Sequence, residues 1–197
     1  MATPPALPAD EILPLFREGV DALEDRGAAL DEEGWQQLAC GTWTAAEVAR
    51  HVAAVAGWYH DWLDRSLTGD SSPPFGATDL GHRNHAAVHA AADEPPSAAM
   101  ARFVDAARSY PDRVAAHWDL PYGYPFGVVT AGHHAAAAAA EWHLHAWDLA
   151  RVGGERHEPS DPGLLFRAVG ACVVTARGGL GGSLQGGLVS LGSRLRP

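Results

Sequence analysis

Glu141 and His145 stand four residues apart in a segment of strong helical character. At 100° per residue that spacing puts a carboxylate and an imidazole within about 40° of each other on one face. Such a pair can supply two ligands to a divalent ion, although Glu and His so spaced also occur simply as a solvated pair. Two protein groups rarely hold zinc or its neighbours tightly, so a metal needs a third. His51, flanked by Val48, Val52 and Val55, lies on or beside the apolar stripe of an earlier helix. Alone it reads as a hydrogen-bonded core histidine. Facing Glu141-x-x-x-His145 across a bundle it completes a three-ligand set with an open position. Two neutral imidazoles and one carboxylate leave a divalent ion with a net charge of about +1. Water bound there has its pKa lowered towards ~7, and a coordinated thiol is deprotonated outright.

The surrounding residues carry weaker signals. His134 and Asp148, seven positions either side of Glu141, lie within about 20° of it by the same arithmetic. His134 is the candidate to orient a ligand through its other ring nitrogen. Asp148 is expected to cap or pair locally, with Arg151 in reach. His143 points to the other side of the helix. The run Ala135 to Ala140 leaves space between helices that a pocket could use. His82, His85 and His89, spaced three and four apart, mimic a ligand face, with a solvated or pocket-rim helical turn as the plainer expectation. His60, His117, His133 and His157 show no partner in the sequence. Trp58, Trp62, Trp118, Trp142 and Trp147 read as core or pocket wall, and Cys40 and Cys172 as buried apolar fillers rather than nucleophiles. No Gly-rich phosphate loop, nucleophile elbow or CxxC is present.

The elements that must position these groups are helices punctuated by Gly and Pro, with almost no β-like alternation. The first opens at Asp10-Glu11, tolerates Pro14 in its first turns and weakens at Gly27; a connector from Gly34 to Thr42 follows. Thr44-Ala45-Ala46-Glu47 is a capping box that starts the second helix, which expires near Thr68-Gly69. Residues 69–96 form a long crossover, with a helical turn expected around Asn84 to Ala91. Ser97 caps a third helix that Pro111 should kink or split. After the turn-rich loop Asp119 to Gly127, a fourth helix runs from about Val128 to Arg151 and stops at Gly153-Gly154. Ser160-Asp161-Pro162 opens a fifth, through Leu164, Leu165, Val169, Val173 and Val174, closed by Gly178-Gly179. The expectation is an all-α protein: a four-helix bundle with a long crossover between helices 2 and 3 and an extra C-terminal helix. It reads as one domain over 1–197, with the bundle in 8–152, the additional helix in 153–179 and a Gly-rich tail in 180–197.

Two stretches resemble a known family. Trp43-Thr44-Ala45-Ala46-Glu47-Val48-Ala49-Arg50-His51-Val52 is similar to the first ligand motif of the DinB-like superfamily. Glu141-Trp142-His143-Leu144-His145-Ala146-Trp147-Asp148-Leu149-Ala150 is similar to the second motif of its mycothiol-dependent maleylpyruvate isomerase branch. The resemblance spans roughly residues 8–152 and implies a DinB-like bundle whose metal is held by His51, Glu141 and His145. It further implies zinc as the ion (nickel or another transition metal as the alternative) and mycothiol or a similar thiol as cosubstrate. Maleylpyruvate isomerases carry a sizeable additional C-terminal domain, for which the stretch after residue 152 is too short. The reaction expected is therefore thiol transfer to, or isomerisation of, a small electrophile. A hydrolase using bound water and a non-catalytic bundle that binds metal or a small molecule are the alternatives.

Composition narrows the partners. The 197 residues hold 14 basic against 24 acidic side chains, a formal net charge of −10. All the basic residues are Arg, in keeping with a GC-rich genome. An acidic field disfavours nucleic acid and anionic lipid. No apolar run reaches the ~20 residues of a membrane span, and Met1 to Pro8 has no signal-peptide pattern. Two cysteines fall short of a disulfide framework. A cytoplasmic protein acting on a small-molecule substrate is expected, and a homodimer is one assembly open to it.

Overall fold

A computed structural model describes residues 7–176, with side chains through residue 170. The Gly178-Gly179 stop, the Gly-rich tail and the side chains of Cys172, Val173 and Val174 lie outside the described residues. In chain order the helices are α1 (Ala9–Ala28), α2 (Glu32–Gln36), α3 (Ala45–Leu67), α4 (Leu80–Ala90), α5 (Pro96–Ala115), α6 (Ala131–Val152) and α7 (Pro162–Ala176). The protein is all-α with the DinB-like arrangement, and α1, α3, α5 and α6 are its four long helices. α1 packs along α6 and against α5, α3 packs chiefly on α5, and α7 lies on α6.

Each long helix buries one stripe. Ile12, Phe16, Val20 and Leu23 from α1 meet Phe103 and Val114 from α5 and Trp142 and Leu149 from α6 in one apolar cluster. The alanines 135, 136, 138, 139 and 140 are buried in that same cluster. Gly19 lets α1 come close to α6: a Cβ there would stand 3.0 Å from Trp142 Cβ and 3.0 Å from His143 Cδ2. No helix among the described residues is long and apolar enough to cross a membrane.

The start of α3 forms as its sequence predicts. Thr44 Oγ1 accepts from the Glu47 backbone N–H at 3.2 Å, and Glu47 Oε2 accepts from the Thr44 N–H at 2.8 Å. This reciprocal cap satisfies two amides that a helix start otherwise leaves open, and it fixes where the second turn, with His51, begins. At α7, Asp161 Oδ1 accepts from the Leu164 N–H at 2.7 Å, with Pro162 in the first helical position.

Several boundaries differ from the sequence reading. Two short antiparallel ribbons are present, β1 (Leu38–Cys40) with β2 (Trp43–Thr44) and β3 (Pro121–Tyr124) with β4 (Gly127–Thr130). The Val128-Val129 pair therefore belongs to a strand, and α6 begins at Ala131, capped by Thr130 Oγ1 accepting from the His133 N–H. Gly127 turns the second ribbon at φ 136°, in the region that favours glycine. Strands of two to four residues are too short to display a period of two. α5 starts at Pro96 rather than behind a Ser97 cap, and it runs unsplit through Pro111. In the crossover, the single turn expected is the whole of α4. Val88 is buried, Arg83 lies 4.4 Å over the Phe75 ring, and Phe75 in turn meets Trp58 and Trp62 edge-on. Tertiary packing thus completes a helix whose own sequence is only weakly amphipathic.

Candidate metal centre

α3 and α6 bring polar side chains together between them inside the bundle. His51 projects from the second turn of α3. Glu141 and His145, one turn apart on α6, project to meet it. One ligand-type atom from each of the three lies within 4.8 Å of those of the other two. His51 Nε2 and Glu141 Oε1 are 3.2 Å apart, close to the separation of two donors bound ~2.0–2.1 Å from a tetrahedral ion. The side chains of His51, Glu141 and His145 are 6, 26 and 11 % exposed. The set is therefore sheltered, with access from solvent on the Glu141 side.

Neighbouring groups hold two of the three in place. His145 Nδ1 donates to Asp148 Oδ2 at 3.2 Å, which leaves Nε2 as the nitrogen with a free lone pair. The Tyr59 hydroxyl donates to Glu141 Oε2 in a short hydrogen bond, so Oε1 is the oxygen turned to the imidazoles. The Trp43 ring, delivered by β2, packs 4.8 Å from that of His51. His51 Nδ1 is buried without a hydrogen-bond partner among the described residues.

Electrostatics keep the set ready for a cation. Burial lowers the pKa of His51 and the charge of His145 lowers it further, against the opposing pull of Glu141, so the imidazole is held neutral. Burial alone would raise Glu141. The hydrogen bond from His51, the electrostatic interaction with His51 and His145 and the bond from Tyr59 together outweigh burial and hold it below its usual value. Burial, the Glu141 charge beside it and the hydrogen bond keep Tyr59 protonated far above its ordinary range. A neutral His51 and an ionised Glu141 are the states in which those two groups ligate a metal.

Other histidines separate cleanly from this set. His143, on the opposite side of α6, donates from Nε2 to the Leu15 carbonyl at 2.9 Å and accepts at Nδ1 from His157 Nε2 at 2.9 Å. His134 does not orient a ligand as the helical angle suggests. Seven residues are about 10.5 Å along the axis, too far for a shared hydrogen bond. Its Nδ1 pairs with the Tyr110 hydroxyl at 2.8 Å, its ring meets Tyr59 edge-on at 4.3 Å, and its buried Nε2 has no partner among the described residues. His60 accepts at Nδ1 from Arg113 and His133 pairs with Thr130. Arg151 donates to the Ala39 carbonyl and lies over Trp147.

Three participants were not legible as such. Tyr59 reads as one more member of the apolar stripe of α3. Asp148 was expected to pair locally but not to a site residue; its offset of three from His145 was the available signal. Cys40 is half-buried rather than a fully buried filler, and with His145 and Asp148 it forms a second group of ligand-type atoms within 4.8 Å of one another. Only the ribbon fold brings Cys40 there.

A solved structure, the crystal structure of the mycothiol-dependent maleylpyruvate isomerase, shares the fold with a TM-score of 0.68 at 18 % identity, over 83 % of this chain and 68 % of that one. No curated protein sequence matches. The sequence model named for the mycothiol maleylpyruvate isomerase N-terminal domain matches residues 16–150, most of the bundle and both stretches that build the site, so the chain belongs to that family.

Proposed function

We propose that the protein is a metal-dependent enzyme that activates a low-molecular-weight thiol of the mycothiol kind. The thiol is transferred to a small electrophilic substrate, or catalyses its isomerisation. The observation that carries this reading is the convergence of His51, Glu141 and His145, with Asp148 and Tyr59 fixing the free atoms of two of them. Family membership supports the thiol, and the donor set, two imidazoles and a carboxylate, suits zinc or nickel.

His51, Glu141 and His145 would hold the cation, which when bound lowers the pKa of a thiol placed on it. The chain's own residues do the rest. Asp148 fixes the tautomer of His145, and Tyr59 keeps Glu141 presenting one oxygen. Trp43 shields His51 from solvent, and partial exposure beside Glu141 leaves one approach for thiol and substrate. A thiol that gives up its proton to solvent in this sheltered place would attack an electrophilic carbon as the thiolate. Addition to a conjugated double bond followed by rotation and elimination gives isomerisation, and displacement of a leaving group gives an S-conjugate.

The test is to incubate metal-loaded and chelator-stripped protein with maleylpyruvate, or with a panel of small electrophiles, with and without mycothiol. Turnover that requires both metal and thiol is expected. Turnover with metal alone, indifferent to thiol, would instead mark a hydrolase using bound water.

A further inference from the structure

Away from the core, α4 presents three histidines to solvent. His82, His85 and His89 are all exposed, and their spacing of three and four keeps them within about 60° of one another around the axis. The Nε2 atoms of His85 and His89 stand 2.9 Å apart, with ring centroids 4.0 Å apart. At that distance one nitrogen donates and the other accepts, so two lone pairs compete for a single proton. Two nitrogens ~2.05 Å from one ion are about 2.9 Å apart when they subtend a right angle, and about 3.35 Å apart at the tetrahedral angle. The observed separation is that of the hydrogen bond itself, and it places both nitrogens where one ion can reach them with little movement of either ring. Arg83, the cation nearest in sequence, is drawn aside over the Phe75 ring at 4.4 Å. The buried Val88 anchors the helix, so the pair stands on a fixed support.

We propose that His85 and His89 form a second, exchangeable transition-metal site on the outer face of α4, taking Cu²⁺ most tightly and Ni²⁺ next. Two protein ligands leave the remaining positions to water or to an incoming ligand, which makes the ion exchangeable rather than structural. Imidazole nitrogen suits both ions, and Cu²⁺ binds most tightly of the divalent first-row series. This site shares no residue with His51, Glu141 and His145 and stands independently of their reading.

The test is titration of the tag-free full chain with CuCl₂ near pH 7.5, followed by calorimetry and electron paramagnetic resonance. One Cu²⁺ equivalent with hyperfine splitting from imidazole nitrogens is expected to vanish in the His85→Ala/His89→Ala double variant and to persist in His51→Ala. Each single variant should weaken that equivalent about tenfold or more, because the second imidazole is otherwise held at high effective concentration. Both side chains are exposed, so circular dichroism of the variants should match that of the parent. An unchanged titration in the double variant, or no equivalent beyond the one removed by His51→Ala, would overturn the proposal. A titration that loses an equivalent only with His85 and His89 upholds it, whatever becomes of the core site.

Discussion

His143 and His145 are two residues apart on α6, and the helix turns one towards α1 and the other towards α3. On the α1 side the packing is close: Gly19 brings the two helices together, Trp142 is fully buried, and both ring nitrogens of His143 are taken by Leu15 and His157. On the α3 side the helices meet sparingly, and the gap holds His51, Glu141, His145 and Tyr59. Burial alone does not separate the two histidines, which are both buried. What differs is the unspent lone pair. His143 has a protein partner on each nitrogen, whereas His145 gives one nitrogen to a carboxylate and turns the other to a second imidazole and a second carboxylate. The first arrangement ties two elements together, and the second gathers ligand-type atoms from two helices within 4.8 Å of one another.

Substitutions should divide along the same line. Changing His51→Ala, Glu141→Gln or His145→Ala is expected to abolish stoichiometric metal, read by elemental analysis of protein purified without chelator. His143→Ala should keep its metal but lose about 3 kcal/mol of stability in denaturant unfolding, through a cavity and an orphaned carbonyl. Metal loss in His143→Ala, or retention by any of the other three, breaks the distinction.

His134 lies between the two regimes, and its acid response is separable. Burial, partly opposed by the charge of Glu141, holds it down to about 3 in the folded protein. The unfolded chain takes up that proton near 6.5, so the folded state is penalised as pH falls below 6.5, down towards 3. Its contribution is complete above pH 6.5 and is reduced by about 3 kcal/mol at pH 4. His134→Gln should flatten the stability profile between those values. An unchanged slope would mean that other groups dominate acid unfolding.

The smallest of these effects should come from the carboxylate that steadies His145. Asp148→Asn is expected to weaken metal binding about 10–100-fold without abolishing it, measured by competition with a chromophoric chelator. No change in affinity would show that His145 needs no orientation from that side.

The sequence carried more of this than of the details around it. The capping box at Thr44 fixed the start of α3, and the four-residue spacing of Glu141 and His145 survives folding because a helix preserves local angles. The pairing of His51 with that edge spans two helices, and the family resemblance supplied what periodicity could not. Tyr59 was hidden because a tyrosine in an apolar stripe gives no sign of which way its hydroxyl turns. Cys40 and Trp43 depend on a ribbon of strands two or three residues long, below the length at which alternation can be seen. The angle from His134 to Glu141 was right and the inference drawn from it was not, since rotation about the axis says nothing of the rise along it.

Anomalous scattering at the absorption edge of the bound metal, from crystals of protein purified without chelator, tests the central claim most directly. A single strong peak within bonding distance of His51 Nε2, Glu141 Oε1 and His145 Nε2 is predicted for the α3–α6 gap. A well-ordered gap with no peak there, or with those three atoms turned away from one another, would contradict it.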